Sequence, residues 1–225
     1  MNLPQPDDYI DIHTHGATPS TGVFIIENLM AHEVRRPGDM PGTVCSFGIH
    51  PWYLNEDNFN PLLRLVNDVT CFPNLVAVGE AGFDRLRGPS MELQRRAFDE
   101  QVKISELSRR PLVIHCVRAW EEIFLSYKKL RPSMPWLIHG FRGNATLAEQ
   151  LLSKGIYLSF WFDFVMKPES AELLRSIPGE KMFLETDGAD IVIRDIYCKV
   201  SRDLDLSVVE LKKRLQTNYK VFFKI

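Results

Sequence analysis

Residues 9–15, Tyr-Ile-Asp-Ile-His-Thr-His, close a short apolar run with two histidines one residue apart. Alternate residues of a strand point to one face, so the stretch predicts a strand, Tyr9–Thr14, that projects His13 and His15 together. Asp11 shares their parity, and Ile12 and Thr14 fall on the other side. The same signature, an apolar run ended by His, Glu or Asp, recurs at Ile49-His50, Val78-Gly79-Glu80, Val113-Ile114-His115, Leu137-Ile138-His139 and Leu184-Glu185-Thr186-Asp187. A (β/α)8 barrel places its functional groups at such strand ends.

Further along the chain, Val-, Ile- and Phe-rich runs alternate with longer amphipathic patterns, the sign of βα units in a parallel sheet. Eight strands are expected: Tyr9–Thr14, Gly22–Asn28, Thr43–Ile49, Leu75–Ala81, Pro111–His115, Trp136–His139, Gly155–Phe160 and Met182–Thr186. Eight suit a closed barrel, so the expected class is an α/β, (β/α)8 TIM barrel. Ser90 to Arg110 reads as a helix stopped by Pro111, with Leu93, Ala97, Phe98, Val102, Ile104 and Leu107 at helical spacing. Ser207 stands three residues before Glu210, a capping-box spacing, and Val208, Leu211, Leu215, Tyr219 and Phe222 form the stripe of a final helix. With no repeat, linker or low-complexity tract, residues 1–225 are expected to form one domain.

Bulk composition narrows the function. The 225 residues are 45% hydrophobic and carry 27 Lys and Arg against 29 Asp and Glu, a net charge of −2. No general attraction to nucleic acid or anionic lipid follows, so any anion must be recognised locally. No run of apolar residues is long enough to span a bilayer, and the N-terminal segment has no basic and apolar leader pattern. Cys45, Cys71, Cys116 and Cys198 are scattered, which argues for reduced thiols and against disulfides or a zinc finger. The expectation is a cytoplasmic protein without membrane contact; the oligomeric state is left open.

Two imidazoles on one strand face make half of a tetrahedral metal shell, and Asp11 would orient one of them through its ring N–H. A lone His-x-His pair is a weak signal and more often reads as two satisfied or surface histidines. Six strand ends carrying ligand-type side chains are not explained that way. Five of the six histidines sit at these ends, and His32 is read as a surface residue.

The segments DIHTH (11–15), GIHP (48–51), VGEAGFD (78–84), PLVIHC (111–116), HGFRG (139–143) and LETD (184–187) together resemble the TatD family of metal-dependent deoxyribonucleases, within the amidohydrolase-like superfamily. LQRRAFDEQ (93–101) and NYKVFF (218–223) are similar to family positions as well, so the resemblance spans nearly the whole chain.

It implies one or two divalent ions, of zinc, manganese, iron or magnesium, with His13, His15, Glu80 and Asp187 on one ion and Glu80, His115 and His139 on the other. It makes His50 a substrate contact. Two such ions against the carboxylates of Glu80 and Asp187 leave about two positive charges, which suits a phosphodiester. Water activated at the metals would be the nucleophile and Asp187 its proton acceptor, so Asp187 and Glu80 are the expected catalytic residues. The resemblance thins at the rim: Asp187 is followed by Gly188, Ala189 and Asp190 where the family has Ser-Pro, and FDRLRG replaces an aromatic-basic run. Arg85, Arg87 and Arg142 are the candidate phosphate contacts. The function expected is phosphodiester hydrolysis with nucleic acid as substrate. The alternatives are hydrolysis of a small ester, lactone or amide, and a metal-binding interaction module without turnover.

Overall fold

The computed structural model describes residues 3–225. In chain order its elements are β1 (Tyr9–Thr14), β2 (Val23–Met30), β3 (Cys45–Gly48), α1 (Glu56–Asp68), β4 (Leu75–Asp84), α2 (Met91–Ser108), β5 (Leu112–Val117), α3 (Trp120–Leu130), β6 (Trp136–Ile138), α4 (Ala145–Leu152), β7 (Tyr157–Trp161), α5 (Phe162–Val165), α6 (Ser170–Ser176), β8 (Met182–Glu185), α7 (Ile193–Asp203) and α8 (Val208–Phe223). The strands are hydrogen-bonded in chain order, β1 to β8, in one sheet. The fold class is the (β/α)8 barrel expected from the sequence. All eight expected strands are present, with ends moved by up to three residues, most at β4, which runs on to Asp84.

The chain divides into two compact units, residues 28–137 and, separately, the stretch up to Glu27 together with Ile138–Ile225. In the first unit β4 pairs in parallel with β3 and β5, and all ten of its residues are buried. Its core contains Phe47, Phe83, Phe98 and Trp136, with Phe98 edge-on to Trp136 at 5.4 Å between ring centres. Burying side chains of this size contributes about 1.5–3 kcal/mol each. Ser90 caps α2 by accepting the Leu93 N–H, and Arg109 ends it in the left-handed region at φ 54°. Two buried glutamines on the same face of α2 fix strand ends. Gln101 accepts the Ile49 N–H at 2.7 Å and donates to the Ile49 carbonyl, and Gln94 does the same for Asp84 at 2.8 and 3.0 Å.

In the second unit β1 pairs in parallel with the first part of β2, and β7 with β8. The Tyr197 hydroxyl of α7 accepts the Ile10 N–H and donates to the Ile10 carbonyl, which ties the helix to β1. Helix α8 has the expected capping box, and Leu211, Leu215, Tyr219 and Phe222 are buried. Phe222 packs its ring edge against Tyr157 and Phe183.

Candidate functional site

In the second unit His13, His15 and Asp187 converge. The Nε2 atoms of both histidines lie 3.7 Å from Asp187 Oδ1, and one ligand atom from each of the three falls within 4.8 Å of the others. His13 is fully buried, whereas the His15 side chain is 26% exposed, so the cluster has a closed and an open side. The His139 ring lies 4.3 Å from that of His13, and His139 Nδ1 is 3.5 Å from Glu185 Oε1. His139, Glu185 and Asp187 form a further set of donors within 4.8 Å.

Strand register explains how β1 presents these groups. Asp11 pairs with Ile25 but Thr14 with Glu27, so β1 carries one extra residue between them and His13 sits in a bulge. A bulge flips the parity of everything after it. Thr14, expected to point away from Asp11, therefore joins it: Thr186 of the β8 end donates its N–H and hydroxyl to the Asp11 carboxylate at 3.0 and 2.6 Å and exchanges a hydrogen bond with the Thr14 hydroxyl at 2.8 Å. This corrects the expectation that Asp11 orients an imidazole. Burial raises the Asp11 carboxyl to about 7, although the Thr186 hydrogen bonds act in the opposite direction. Asp187 follows in the left-handed region, φ 52°, with its N–H on the His13 carbonyl at 3.1 Å.

In the first unit Glu80 occupies the equivalent irregularity of β4. Val78 pairs with Leu112 and Ala81 with Ile114, so Gly79 and Glu80 together oppose one residue of β5. Only glycine fits before Glu80, because φ at Gly79 is +127° and a Cβ there would lie 2.3 Å from the Val113 carbonyl oxygen. The side chain is held by Asn28, which donates to Glu80 Oε2 at 3.2 Å and accepts the Glu80 N–H at 3.0 Å, while Ser46 donates to Asn28 at 2.8 Å. Glu80 Oε1 lies 3.3 Å from His115 Nδ1 and 3.6 Å from His50 Nε2. The three residues make a second set of ligand atoms within 4.8 Å. His50 Nδ1 accepts the Trp52 N–H, so a neutral ring carries its proton on Nε2 and acts there as a donor.

Several participants were not singled out from the sequence. Asp84 lies 3.3 Å from His115 Nε2, accepts the Trp52 indole N–H at 2.6 Å, and accepts the backbone N–H groups of Leu86 and Arg87. Burial pushes its carboxyl up, but these hydrogen bonds outweigh burial and hold it below the usual range. Glu185 accepts the Gly140 N–H and the Ser159 hydroxyl; burial pushes it up, and His139 with Ser159 brings it below the usual value. Asn28 had only the signal of ending an apolar strand, Glu185 that of standing in LETD, and Asp84 that of following Gly82-Phe83.

The three candidate arginines differ. Arg85 is paired with Glu122 and lies 3.8 Å from Glu121. Arg87 lies over the Trp52 ring at 4.0 Å, and Arg142 over the Trp161 ring at 4.1 Å. Beside His15 a cavity of about 520 Å³ is walled by Gly16, Ala17 and the divergent stretch Gly188–Ile193, and among the described residues no Lys or Arg lines it. His32 is exposed, as expected.

Imidazole nitrogens and carboxylate oxygens without a thiolate make a donor set that fits zinc, manganese or iron, and less well magnesium. The residues present thus suit a divalent metal. Among the described residues, no helix is long and apolar enough to cross a membrane.

A sequence model of the family described as TatD related DNase matches residues 28–224. The chain is 32% identical over 136 residues to the deoxyribonuclease Tat-D of Schizosaccharomyces pombe, covering 59% of this chain and 44% of that protein. To the 3'-5' ssDNA/RNA exonuclease TatD of Salmonella typhimurium it is 30% identical over 189 residues, 80% of this chain and 70% of the other. The chain spans about half the length of two of the curated relatives it matches, 44% and 54%. In fold it is similar to the crystal structure of a TatD homologue from Escherichia coli K12, with a TM-score of 0.81 and 20% identity over 98% of this chain and 100% of that one.

Proposed function

The chain belongs to the TatD-related DNase family, and from that premise we propose that it is a metal-dependent hydrolase of phosphodiester bonds whose substrate is nucleic acid. The observation that carries the reading is the gathering of imidazole and carboxylate ligand atoms within 4.8 Å in each unit. His13, His15, His139 and Asp187 in one unit, and Glu80 and His115 in the other, are the proposed ligands for one or two divalent ions. Zinc, manganese and iron suit these donors best. When bound, such ions polarise a phosphoryl oxygen and lower the pKa of water toward about 7.

The chain's own groups do the rest. Asp187, on the open side of its cluster, takes the proton of the attacking water. Asn28 holds Glu80 in place, and Asp84 holds His115. His50 offers its Nε2 proton to the substrate, and Arg87 and Arg142 supply positive charge to its phosphates. Arg85 is spent on Glu122 and contributes less. The four free cysteines suit a reducing compartment, and we place the protein in the cytoplasm.

The deciding experiment incubates metal-reconstituted protein with single-stranded DNA, RNA and chromogenic phosphodiesters and carboxyl esters. Turnover of phosphodiesters is expected. Turnover of carboxyl esters alone would move the assignment to a carbonyl hydrolase.

A further inference from the structure

The short turn after β3 is rich in aromatic side chains, one of them solvent-facing. His50 is followed by Pro51, Trp52 and Tyr53, and the Trp52 ring lies 4.8 Å from that of His50 and 5.6 Å from that of His115. Tyr53, 37% exposed, lies 5.8 Å from the His50 ring and stacks face to face with His32, with ring centres 3.6 Å apart and planes 17° from parallel. His32 is itself exposed and outside the ligand-bearing strand ends. On the Trp52 side stands the Arg87 guanidinium, and among the described residues no carboxylate pairs with it. Solvent-facing rings gain little by stacking on each other alone, whereas such rings beside a guanidinium are what single-stranded nucleic acid binds.

We propose that His32 and Tyr53, with Arg87 beside Trp52, form a base-stacking subsite of this first unit, which adds an unpaired nucleobase to the His32–Tyr53 stack while the adjoining phosphate meets Arg87. The inference rests on the phosphodiesterase reading for what is cleaved, but the subsite is defined by binding. Burial lowers the His32 pKa, which favours the neutral, stacking form of the ring at neutral pH. Within a duplex no base face is open to such a stack, so single strands are selected over paired ones. A terminal or looped-out base satisfies the subsite equally.

The test titrates the protein with a fluorescently labelled, phosphorothioate-linked oligothymidylate that resists cleavage, alongside a duplex of the same backbone. His32→Ala and Tyr53→Ala are expected to weaken single-strand binding about tenfold, the loss of one stacked base. His32→Phe, which keeps a ring but no imidazole, is expected to restore it. Alanine variants that bind as the wild type does, a phenylalanine variant that fails to rescue, or a wild type that prefers the duplex would each overturn the subsite. Failure of the function reading looks different: the wild type would bind the strand with the same dependence on His32 yet hydrolyse no phosphodiester.

Discussion

Thr186 donates both its N–H and its hydroxyl to one carboxylate, that of Asp11, at 3.0 and 2.6 Å. The pair locks the residue that precedes Asp187, where the backbone turns left-handed. Thr186→Val keeps the shape but strips the buried carboxyl of its shortest partner, and is expected to cost about 1–3 kcal/mol of stability. Thr186→Ser should retain most of it. Chemical denaturation of both variants checks this, and equal midpoints for Val and wild type would show that the bond contributes nothing.

Asp187→Asn is nearly isosteric, so the fold should persist with an unfolding midpoint close to wild type. Activity should vanish, because an amide takes no proton from water and brings no charge to the ligands. Metal content, measured on the same sample, should fall as well. Wild-type turnover in the metal-loaded variant would make Asp187 a bystander.

Gly79→Ala places a Cβ 2.3 Å from the Val113 carbonyl oxygen at a φ that side chains rarely adopt. Both the backbone strain and the clash oppose the bulge that presents Glu80. The variant is expected to lose several kcal/mol or fail to accumulate as folded protein, read by circular dichroism. A folded, active Gly79→Ala protein would mean that β4 tolerates a different register.

Phosphate recognition should be shallow in salt. Each phosphate neutralised on a single strand contributes about −0.7 to the slope of log affinity against log salt, and of the three candidate arginines Arg85 is already paired with Glu122, which leaves Arg87 and Arg142. Arg87→Ala should reduce the slope by about that amount, whereas Arg85→Ala, already neutralised by Glu122, should change it little. A steep wild-type slope would reveal an extended basic surface.

The thiols should separate by exposure. Cys71 and Cys198 are exposed and should react with a thiol reagent at neutral pH. Cys45 is buried and should not react until the protein unfolds, whereas Cys116 is half-buried and, with burial pushing its thiol up to about 12, should react more slowly than Cys71 and Cys198. Labelling of Cys116 in native protein as fast as that of Cys71 would contradict the partial burial of its thiol on β5.

The sequence alone determined the eight strands, helix α2, the capped α8, and the strand ends where His13, Glu80, His115, His139 and Asp187 stand. These follow from apolar periodicity and cap chemistry, which are local properties of the chain. It did not determine how the donors are aimed. The bulges at His13 and Glu80 arise from register against β2 and β5, and register is a relation between strands rather than a property of either one. That is why simple alternation sent Thr14 to the wrong face and gave Asp11 an imidazole partner in place of Thr186. Only the tertiary structure set Asn28 on Glu80 and Asp84 on His115, and paired Arg85 with Glu122, because each contact joins residues far apart in the chain whose individual identities carry no mark of the partner.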